Sequence, residues 1–267
     1  MADPLPSAPP GRAVPAWFDE LVRDPETGSA LERRADGYHR SDGRRYAIRD
    51  GIPSLVFPET LGGQDGKWNR FYDAFAPFYN LMQVVLSPFM LGETAASAHR
   101  KVAANLPLAP GCRLLEVSPG PGTFHRFLRE RLGPRGELVS LDLSFQMLQQ
   151  CRKRGDPAAV LVHGNGQHLP FRDGAFDTLF HFGGVNLFND PNRALAEFVR
   201  VVRPGGIVSW GDEGFSPDYP DGRMKRMLIR MNPGYLKPRP PVPEGIDDVV
   251  TTPVYGGTGY LVVGRKR

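Results

Sequence analysis

Two acidic residues that accompany apolar runs are the residues of this 267-residue chain best placed to do chemistry. Glu116 lies in the apolar run 114–117, and a segment containing Gly120 and Gly122 follows it directly. Asp142 ends a second apolar run. Carboxylates accept hydrogen bonds from ribose hydroxyls, and glycines let the backbone approach a ligand closely. The spacing therefore predicts a site for an adenosine-containing cofactor.

Alternating strands and helices are the elements that would position these acids. Each apolar run is typical of a buried parallel strand, and the residues between the two runs favour a helix. Strand, glycine loop, helix, strand and acid, in this order, are typical of the nucleotide-binding half of a Rossmann-type sheet. Strands are predicted at 113–117, 138–142, 159–163, 176–182 and 207–210, with a closing hairpin of 248–254 and 260–263.

Three further helices are predicted around this sheet. Ser144 is the expected N-cap of the first. Asp190 begins the second, which is expected to stop at the Pro-Gly-Gly segment 204–206. The amphipathic run 224–231 indicates the third, which would cover a pocket or a partner.

The glycine segment also indicates which cofactor fits. A dinucleotide-binding loop needs Gly-x-Gly-x-x-Gly, and counting from Gly120 the third position is His125. The Glu-x-Ser-x-Gly-x-Gly arrangement of 116–122 instead resembles motif I of class I S-adenosylmethionine (SAM) methyltransferases, usually (Asp/Glu)-x-Gly-x-Gly-x-Gly. Ser118 replaces the first glycine, and we expect it at negative φ, where a Cβ is tolerated.

Four further segments resemble the same family in the same order. They are Asp142-Leu143 (motif II), 164–171 (Gly-Asp-Ala-x-x-Leu-Pro-Phe), 175–182 (Phe-Asp-x-Val) and 200–206 (Arg-Val-Leu-Lys-Pro-Gly-Gly). Asn165 stands where the second of these segments usually has Asp. The resemblance covers 65–267 and implies an α/β fold: a Rossmann-like sheet of seven strands, the last antiparallel, with helices on both faces.

The resemblance implies SAM as the cofactor and assigns residues to it. Glu116 would steer the methionine end, Asp142 would hold the ribose hydroxyls, and 164–167 would contact adenine. For Asp142, a helix N-cap is the competing interpretation. The predicted cofactor site comprises Glu116, Ser118, Gly120, Gly122, Thr123, Asp142, Leu143, Met147, Asn165, Gly166, Gln167 and His181.

A catalytic base is the next requirement to consider. Methyl transfer from a sulfonium needs alignment and exclusion of water, and it needs a base only when the acceptor loses a proton. His181, at the end of a predicted strand, is the candidate base, with His125 and Glu213 as alternatives.

An aromatic segment precedes the sheet. Apolar residues recur at helical spacing from Trp68, and Pro77 is expected to kink or split that helix. Segment 71–80 is similar to the helical lid of quinone-biosynthesis C-methyltransferases. We expect Tyr72 and Tyr79 to be the residues that reach the site and act there, while a plain aromatic core stays the alternative.

The N-terminal region is predicted to form a separate, small β-rich unit. Residues 17–58 resemble a zinc-ribbon module, but they contain no cysteine to supply the thiolates of such a site. We predict a degenerate ribbon that serves as a structural or capping module, and no metal site in the chain. The predicted division is a disordered tail (1–16), the ribbon (17–58), a helical lid or cap (59–110) and the SAM-binding domain (111–267).

Composition limits the classes of function. No apolar run approaches the ~18 residues of a membrane-spanning helix. Two cysteines and an N-terminus without a signal-peptide pattern favour a cytoplasmic protein. The net charge is +4, but acids are interspersed among the basic residues, which favours a solvated surface over nucleic-acid binding. A homodimer is left open.

These observations together predict a methyltransferase for a small molecule. The segment after 176–182 is not Asn-Pro-Pro-Tyr, which disfavours methylation of DNA-base amines. No cysteine lies near the predicted strands 176–182 and 207–210 for covalent cytosine chemistry. We expect transfer to carbon or oxygen of an apolar or aromatic biosynthetic intermediate. The alternatives are a catalytically idle partner subunit and an RNA methyltransferase that docks through 17–58.

Overall fold

The first part of the fold is a small β unit followed by two helices. The computed structural model describes residues 14–91 and 93–267, the side chains of 80–91 excepted. The predicted tail 1–16 lies mostly outside the described residues, and within them Val14 is already buried. The elements are α1 (Ala16–Asp19), β1 (Glu32–Arg34), β2 (Gly37–His39), β3 (Arg45–Arg49), β4 (Ile52–Pro53), α2 (Gly63–Leu91) and α3 (Ala95–Ala104).

The second part alternates strands and helices. Its elements are β5 (Arg113–Val117), α4 (His125–Leu132), β6 (Glu137–Asp142), α5 (Phe145–Arg154), β7 (Val160–His163), β8 (Phe176–Phe182), α6 (Pro191–Val201), β9 (Val202–Glu213), α7 (Arg223–Met231), β10 (Ile246–Val254) and β11 (Gly259–Lys266). The seven strands from β5 onward form one sheet of order β10-β11-β9-β8-β5-β6-β7. Strands β5 to β9 pair in parallel, and β11 is antiparallel to both neighbours. The predicted fold class is confirmed.

Side chains of the central strands alternate between the two faces of the sheet, as a strand requires. Leu115 of β5 packs in a cluster with Phe198 of α6, whereas Leu114 packs in another with Leu128 of α4. Helices therefore cover both faces of the sheet. The ends of the parallel strands, where the polar residues lie, are not covered by these helices.

Helix α6 begins as predicted and ends earlier. Asp190 accepts the N–H of Arg193, and Pro191 occupies the first turn. The helix ends at Val201, because Val202 already starts β9, which runs to Glu213. The predicted end of the helix at 204–206 is wrong by several residues, because Gly205 and Gly206 belong to the first part of β9.

The sequence predicts that Pro77 kinks or splits helix α2, and the split is wrong, because α2 is continuous from Gly63 to Leu91. A proline removes one intrahelical hydrogen bond. Two acids ahead of Pro77 hold the helix against the sheet: Asp65 accepts the side chain of Gln167 at 2.6 Å, and Asp73 accepts Ser144 Oγ at 2.6 Å. Among the described residues, no helix is long and apolar enough to cross a membrane.

The N-terminal β unit covers the edge of the large sheet. Strands β1 to β4 form a separate four-stranded sheet. Just after β4, Ser54 pairs in parallel with His163 of β7, and Leu55 N–H donates to the His163 carbonyl at 2.7 Å. The unit thus continues the hydrogen bonding of an otherwise open edge strand.

A buried carboxylate and a guanidinium organise this N-terminal unit. Asp24 is 2% exposed and accepts Tyr46 OH at 2.8 Å and Arg40 Nη1 at 3.1 Å. Arg40 also contacts Glu26 and Asp42, at 3.3 and 2.6 Å. In the part of the chain that the structure describes, no group of three His, Cys, Asp or Glu residues is arranged to hold a metal.

We expect this unit to fold without zinc, because Arg40 supplies the positive charge among its acids. Metal analysis of the purified protein should find far less than one zinc per chain, and a chelator should leave the melting temperature unchanged. Arg40→Met should lower the melting temperature, since it leaves buried Asp24 without its cation. Arg34→Met, which removes an exposed ion pair to Glu32, is the matched control. Stoichiometric zinc with chelator sensitivity would overturn this expectation.

Candidate functional site

A cavity of about 720 Å³ lies at the carboxyl ends of the parallel strands. Ligands of open α/β sheets bind at this edge. Strand-end loops line it with Ser118, Gly120, Asp142, Leu143, Phe182, Gly183 and Glu213. A second cavity of about 180 Å³ shares part of this wall, and Glu116, Thr123, His99 and Tyr255 line it.

Asp142 is the central acid of the large cavity. Its carboxylate accepts Gly120 N–H at 3.0 Å and Ser144 N–H at 2.9 Å. Burial raises the pKa of Asp142 to about 6, although the two backbone hydrogen bonds act in the opposite direction and lower it. The helix cap itself is Ser144, whose hydroxyl accepts Met147 N–H. Asp142 therefore joins the glycine loop to the start of α5 while it faces the cavity.

The glycine loop makes its turn with three left-handed residues: φ is +59° at Ser118, +55° at Gly120 and +81° at Gly122. The expectation of negative φ at Ser118 is wrong, because this position needs the conformation that glycine adopts without strain. Ser118 and Gly120 line both cavities. Gly122 lines neither, and a Cβ there would lie 3.1 Å from Cys151 Sγ.

Ser118→Gly should therefore stabilise the protein. A non-glycine residue in the left-handed region of φ costs about 1–2 kcal/mol of folding free energy. Glycine removes this cost, but its greater flexibility in the unfolded chain offsets part of the gain. We expect a net gain of roughly 0.5–1 kcal/mol in the free energy of unfolding. Calorimetry should show SAM affinity unchanged within a few-fold.

The matched control is Ser118→Ala, which keeps the Cβ and so should not gain stability. No stabilisation by glycine would contradict the strain argument. If Ser118→Gly raised SAM affinity by about tenfold or more, the natural loop would be poorly adapted to SAM, which would favour a catalytically idle subunit.

Glu116 lines the small cavity, and His125 holds its carboxylate. Its Oε2 is 2.9 Å from His125 Nε2, and Ser140 Oγ donates to the same oxygen at 3.2 Å. Asp156 N–H donates to His125 Nδ1 at 2.9 Å, which places the ring proton on Nε2, facing Glu116. His125 is buried in this network and lines neither cavity, so the structure does not support it as a base.

The segment predicted to contact adenine supports the cavity from behind. Asn165, Gly166 and Gln167 do not line it. Both amide side chains instead donate to Asp65, at 3.3 and 2.6 Å, and Asp65 does line the large cavity. A Cβ on Gly166 would lie 2.9 Å from the ring of Phe188, another wall residue. Sequence reasoning missed Asp65, whose only signal is an acid in the first turn of α2.

His181 is placed away from the site. It is fully buried, its Nδ1 lies 3.0 Å from the Val117 carbonyl, and it lines neither cavity. Burial lowers its pKa. The next residue, Phe182, lines both cavities, because successive side chains of a strand point to opposite faces. The structure thus gives no support to His181 as a base or a cofactor ligand, because its side chain lines neither cavity.

Glu213 is the titratable side chain best placed to act in the cavity. It ends β9, lines both cavities and accepts a hydrogen bond from the Asn232 side chain. Partial removal from water and the neighbouring Asp212 carboxylate raise its pKa to about 7, although the Glu213 residue as a whole is exposed. Asp212 has a structural role, because its carboxylate accepts hydrogen bonds from the backbone N–H groups of Gly184 and Asn186.

Two helices complete the wall. Helix α2 contributes Tyr72 and Tyr79, with their ring centroids 6.4 Å apart, and burial raises the pKa of Tyr72. Helix α7 and the turn after it contribute Met231 and Lys237, so the predicted covering helix does reach the cavity. Leu143 and Met147, both predicted, line the same cavity.

Comparison with known proteins agrees with this geometry. Residues 115–209 match a family described as "Methyltransferase domain". The chain is 36% identical over 150 residues to a demethylmenaquinone methyltransferase of Renibacterium salmoninarum, covering 55% of this chain and 60% of that protein. It is 29% identical over 150 residues to the enzyme of the same name from Listeria welshimeri, covering 55% and 62%. The chain thus spans about three fifths of the length of these relatives.

Solved structures share the fold at low identity. A SAM-dependent methyltransferase of Thermotoga maritima has a TM-score of 0.53 at 21% identity, over 74% of this chain and 99% of that one. The [4+2]-cyclase SpnF has a TM-score of 0.52 at 15% identity, over 79% and 98%. The fold is that of class I SAM methyltransferases, and the matched domain implies SAM as the cofactor.

Proposed function

We propose that this chain transfers the methyl group of SAM to carbon or oxygen of a small aromatic acceptor. One observation supports this most: a single cavity joins the glycine loop and Asp142 to Glu213, whose pKa lies near 7. The methyltransferase domain and the demethylmenaquinone methyltransferase relatives support the same reaction class. Because the cyclase shares this fold, the fold alone does not select the reaction.

The residues present fit SAM. Asp142 would accept both ribose hydroxyls, since it faces the cavity as a carboxylate at the end of β6. Ser118 and Gly120 would let the backbone approach the cofactor, and a Cβ on Gly120 would meet no protein atom within 4 Å. Glu116, in the adjoining cavity, would pair with the ammonium group of the methionine end. When bound, SAM supplies a methyl group already activated by its sulfonium.

Glu213 is the base that we propose in place of His181. A carboxylate with a pKa of about 7 can take the proton of a phenol or quinol hydroxyl near neutral pH. The Asn232 amide donates to it and would fix its direction. The aromatic and apolar wall, including Trp68, Phe71 and Phe182, would hold the acceptor ring.

We propose that α2 is the lid of this site, because its Tyr72 and Tyr79 line the same cavity as the strand-end loops. Its role would be to exclude water and to position the acceptor. Tyr72→Ala should lower turnover by about tenfold or more while changing the SAM dissociation constant only a few-fold. Phe78→Ala is the control, since Phe78 belongs to the same helix but is 61% exposed. Equal losses in both variants would return α2 to a plain packing role.

The activity is tested by incubating the protein with methyl-deuterated SAM and a panel of phenols, quinols and other aromatic intermediates. Mass spectrometry should find a product heavier by one labelled methyl group. SAM binding without any product would favour the idle-subunit alternative. Methylation of RNA, with RNA binding that weakens steeply with salt, would favour the RNA alternative. The domain limits 17–58, 59–110 and 111–267 and a homodimer stay predictions.

A further inference from the structure

Helix α7 presents an apolar face to solvent. Met224, Met227 and Met231 are 44%, 42% and 55% exposed. Their spacing of three and four residues places them on one side of the helix, which we name the methionine face. Leu228, beside them, is buried and attaches the helix to the protein. Three large apolar side chains grouped in this way mark an interaction surface.

Basic residues surround the methionine face. Residues 221–239 contain six Lys or Arg and one acid. Of these, Arg223, Arg226 and Arg230 are exposed on α7 itself. An apolar stripe bordered by exposed arginines is the pattern of a helix that lies at the surface of an anionic membrane.

The methionine face lies at the mouth of the cavity. Met231 belongs to both, because it lines the cavity and is half exposed. Phe71 of α2 also lines the cavity and is 49% exposed. Lys67, exposed on the same helix, adds a positive charge to this rim. The mouth is therefore apolar and basic on both of its sides.

We propose that the methionine face docks on an anionic phospholipid bilayer, so that the cavity receives its acceptor from the lipid. Charge complementarity favours this occupant: lipid phosphates would pair with the arginines while the methionines enter the acyl boundary. A second copy of the chain would instead bring the same arginines together, which like-charge repulsion opposes. The delivery of an acceptor rests on the proposed function, whereas docking itself does not.

Vesicle sedimentation of the full chain tests docking. The protein should bind vesicles of phosphatidylcholine mixed with phosphatidylglycerol and should bind phosphatidylcholine alone far less, and added salt should weaken binding. Met224→Ser with Met227→Ser should weaken binding by about tenfold or more. Arg226→Glu with Arg230→Glu should do the same. Val250→Ser, which alters an exposed apolar residue of β10, should have no effect.

Equal binding to both kinds of vesicle, no binding, or unchanged binding by both double variants would overturn the proposal. A dimer that the methionine variants dissociate would assign the face to a second copy and also overturn it. Methyl transfer to a water-soluble acceptor is measured on the same samples. Intact transfer without vesicle binding rejects docking alone, and vesicle binding without transfer to any acceptor rejects the proposed function alone.

Discussion

Asp142→Ala is expected to weaken SAM binding by about 1.5–3 kcal/mol, which is the effect of losing charge-assisted hydrogen bonds. Two consequences of the substitution act together. The variant removes the carboxylate proposed to hold the ribose hydroxyls, and it frees Gly120 N–H, which now donates to Asp142 at 3.0 Å. Calorimetric titration should therefore show a dissociation constant raised by roughly ten- to a hundredfold.

Two further variants make the Asp142 result specific. Asp142→Asn keeps the shape and should lose part of the affinity, with little change in melting temperature. Asp177→Ala also removes a carboxylate that accepts a backbone N–H, from Arg113, but at the opposite end of the sheet. It should leave SAM affinity unchanged. Equal affinities for wild type and Asp142→Ala would reject the assignment of this residue to the cofactor.

Glu213→Gln is expected to lower turnover by about a hundredfold or more if the acceptor loses a proton to this residue. Because the pKa of Glu213 is raised to about 7, the wild-type rate should rise with pH through that value and then level off. The variant should lose this rise, since glutamine does not titrate. SAM affinity should change little, which separates this effect from that of Asp142.

Asp218→Asn is the matched control for Glu213→Gln, because it removes an exposed carboxylate from the segment after β9. It should keep both the rate and the pH profile. A Glu213→Gln enzyme that retains the wild-type pH profile would show that Glu213 is not the base. A small loss of rate with no pH effect would favour methyl transfer to the carbon of an activated ring.

The strands and the cofactor loop could be predicted because their signals are local. Apolar runs that contain Glu116 and end at Asp142 identify two parallel strands, and the pattern of glycines identifies the turn after the first. The side chains at strand ends could not be assigned to a face so easily. His181 is buried in the core, whereas the adjacent Phe182 lines the cavity. An error of one residue in the predicted register of the strand therefore assigns the wrong side chain to the cavity.

Other features depend on contacts between distant parts of the chain. Asn165 and Gln167 lie in a segment that resembles an adenine contact, yet both turn toward Asp65, about a hundred residues earlier. Ser118, at φ +59°, donates its N–H to the Leu141 carbonyl at 2.8 Å, a contact with the neighbouring strand β6. Asp65 and Asp73 also bind α2 to distant side chains, Gln167 and Ser144, and α2 continues through Pro77. Single-sequence patterns do not contain these contacts.

The most direct test of the account is calorimetric titration of the full chain with SAM, with its demethylated product S-adenosylhomocysteine, and with NADH. We expect one SAM site per chain, binding of the demethylated product at the same site, and no binding of NADH. Binding of NADH without binding of SAM or S-adenosylhomocysteine would contradict it.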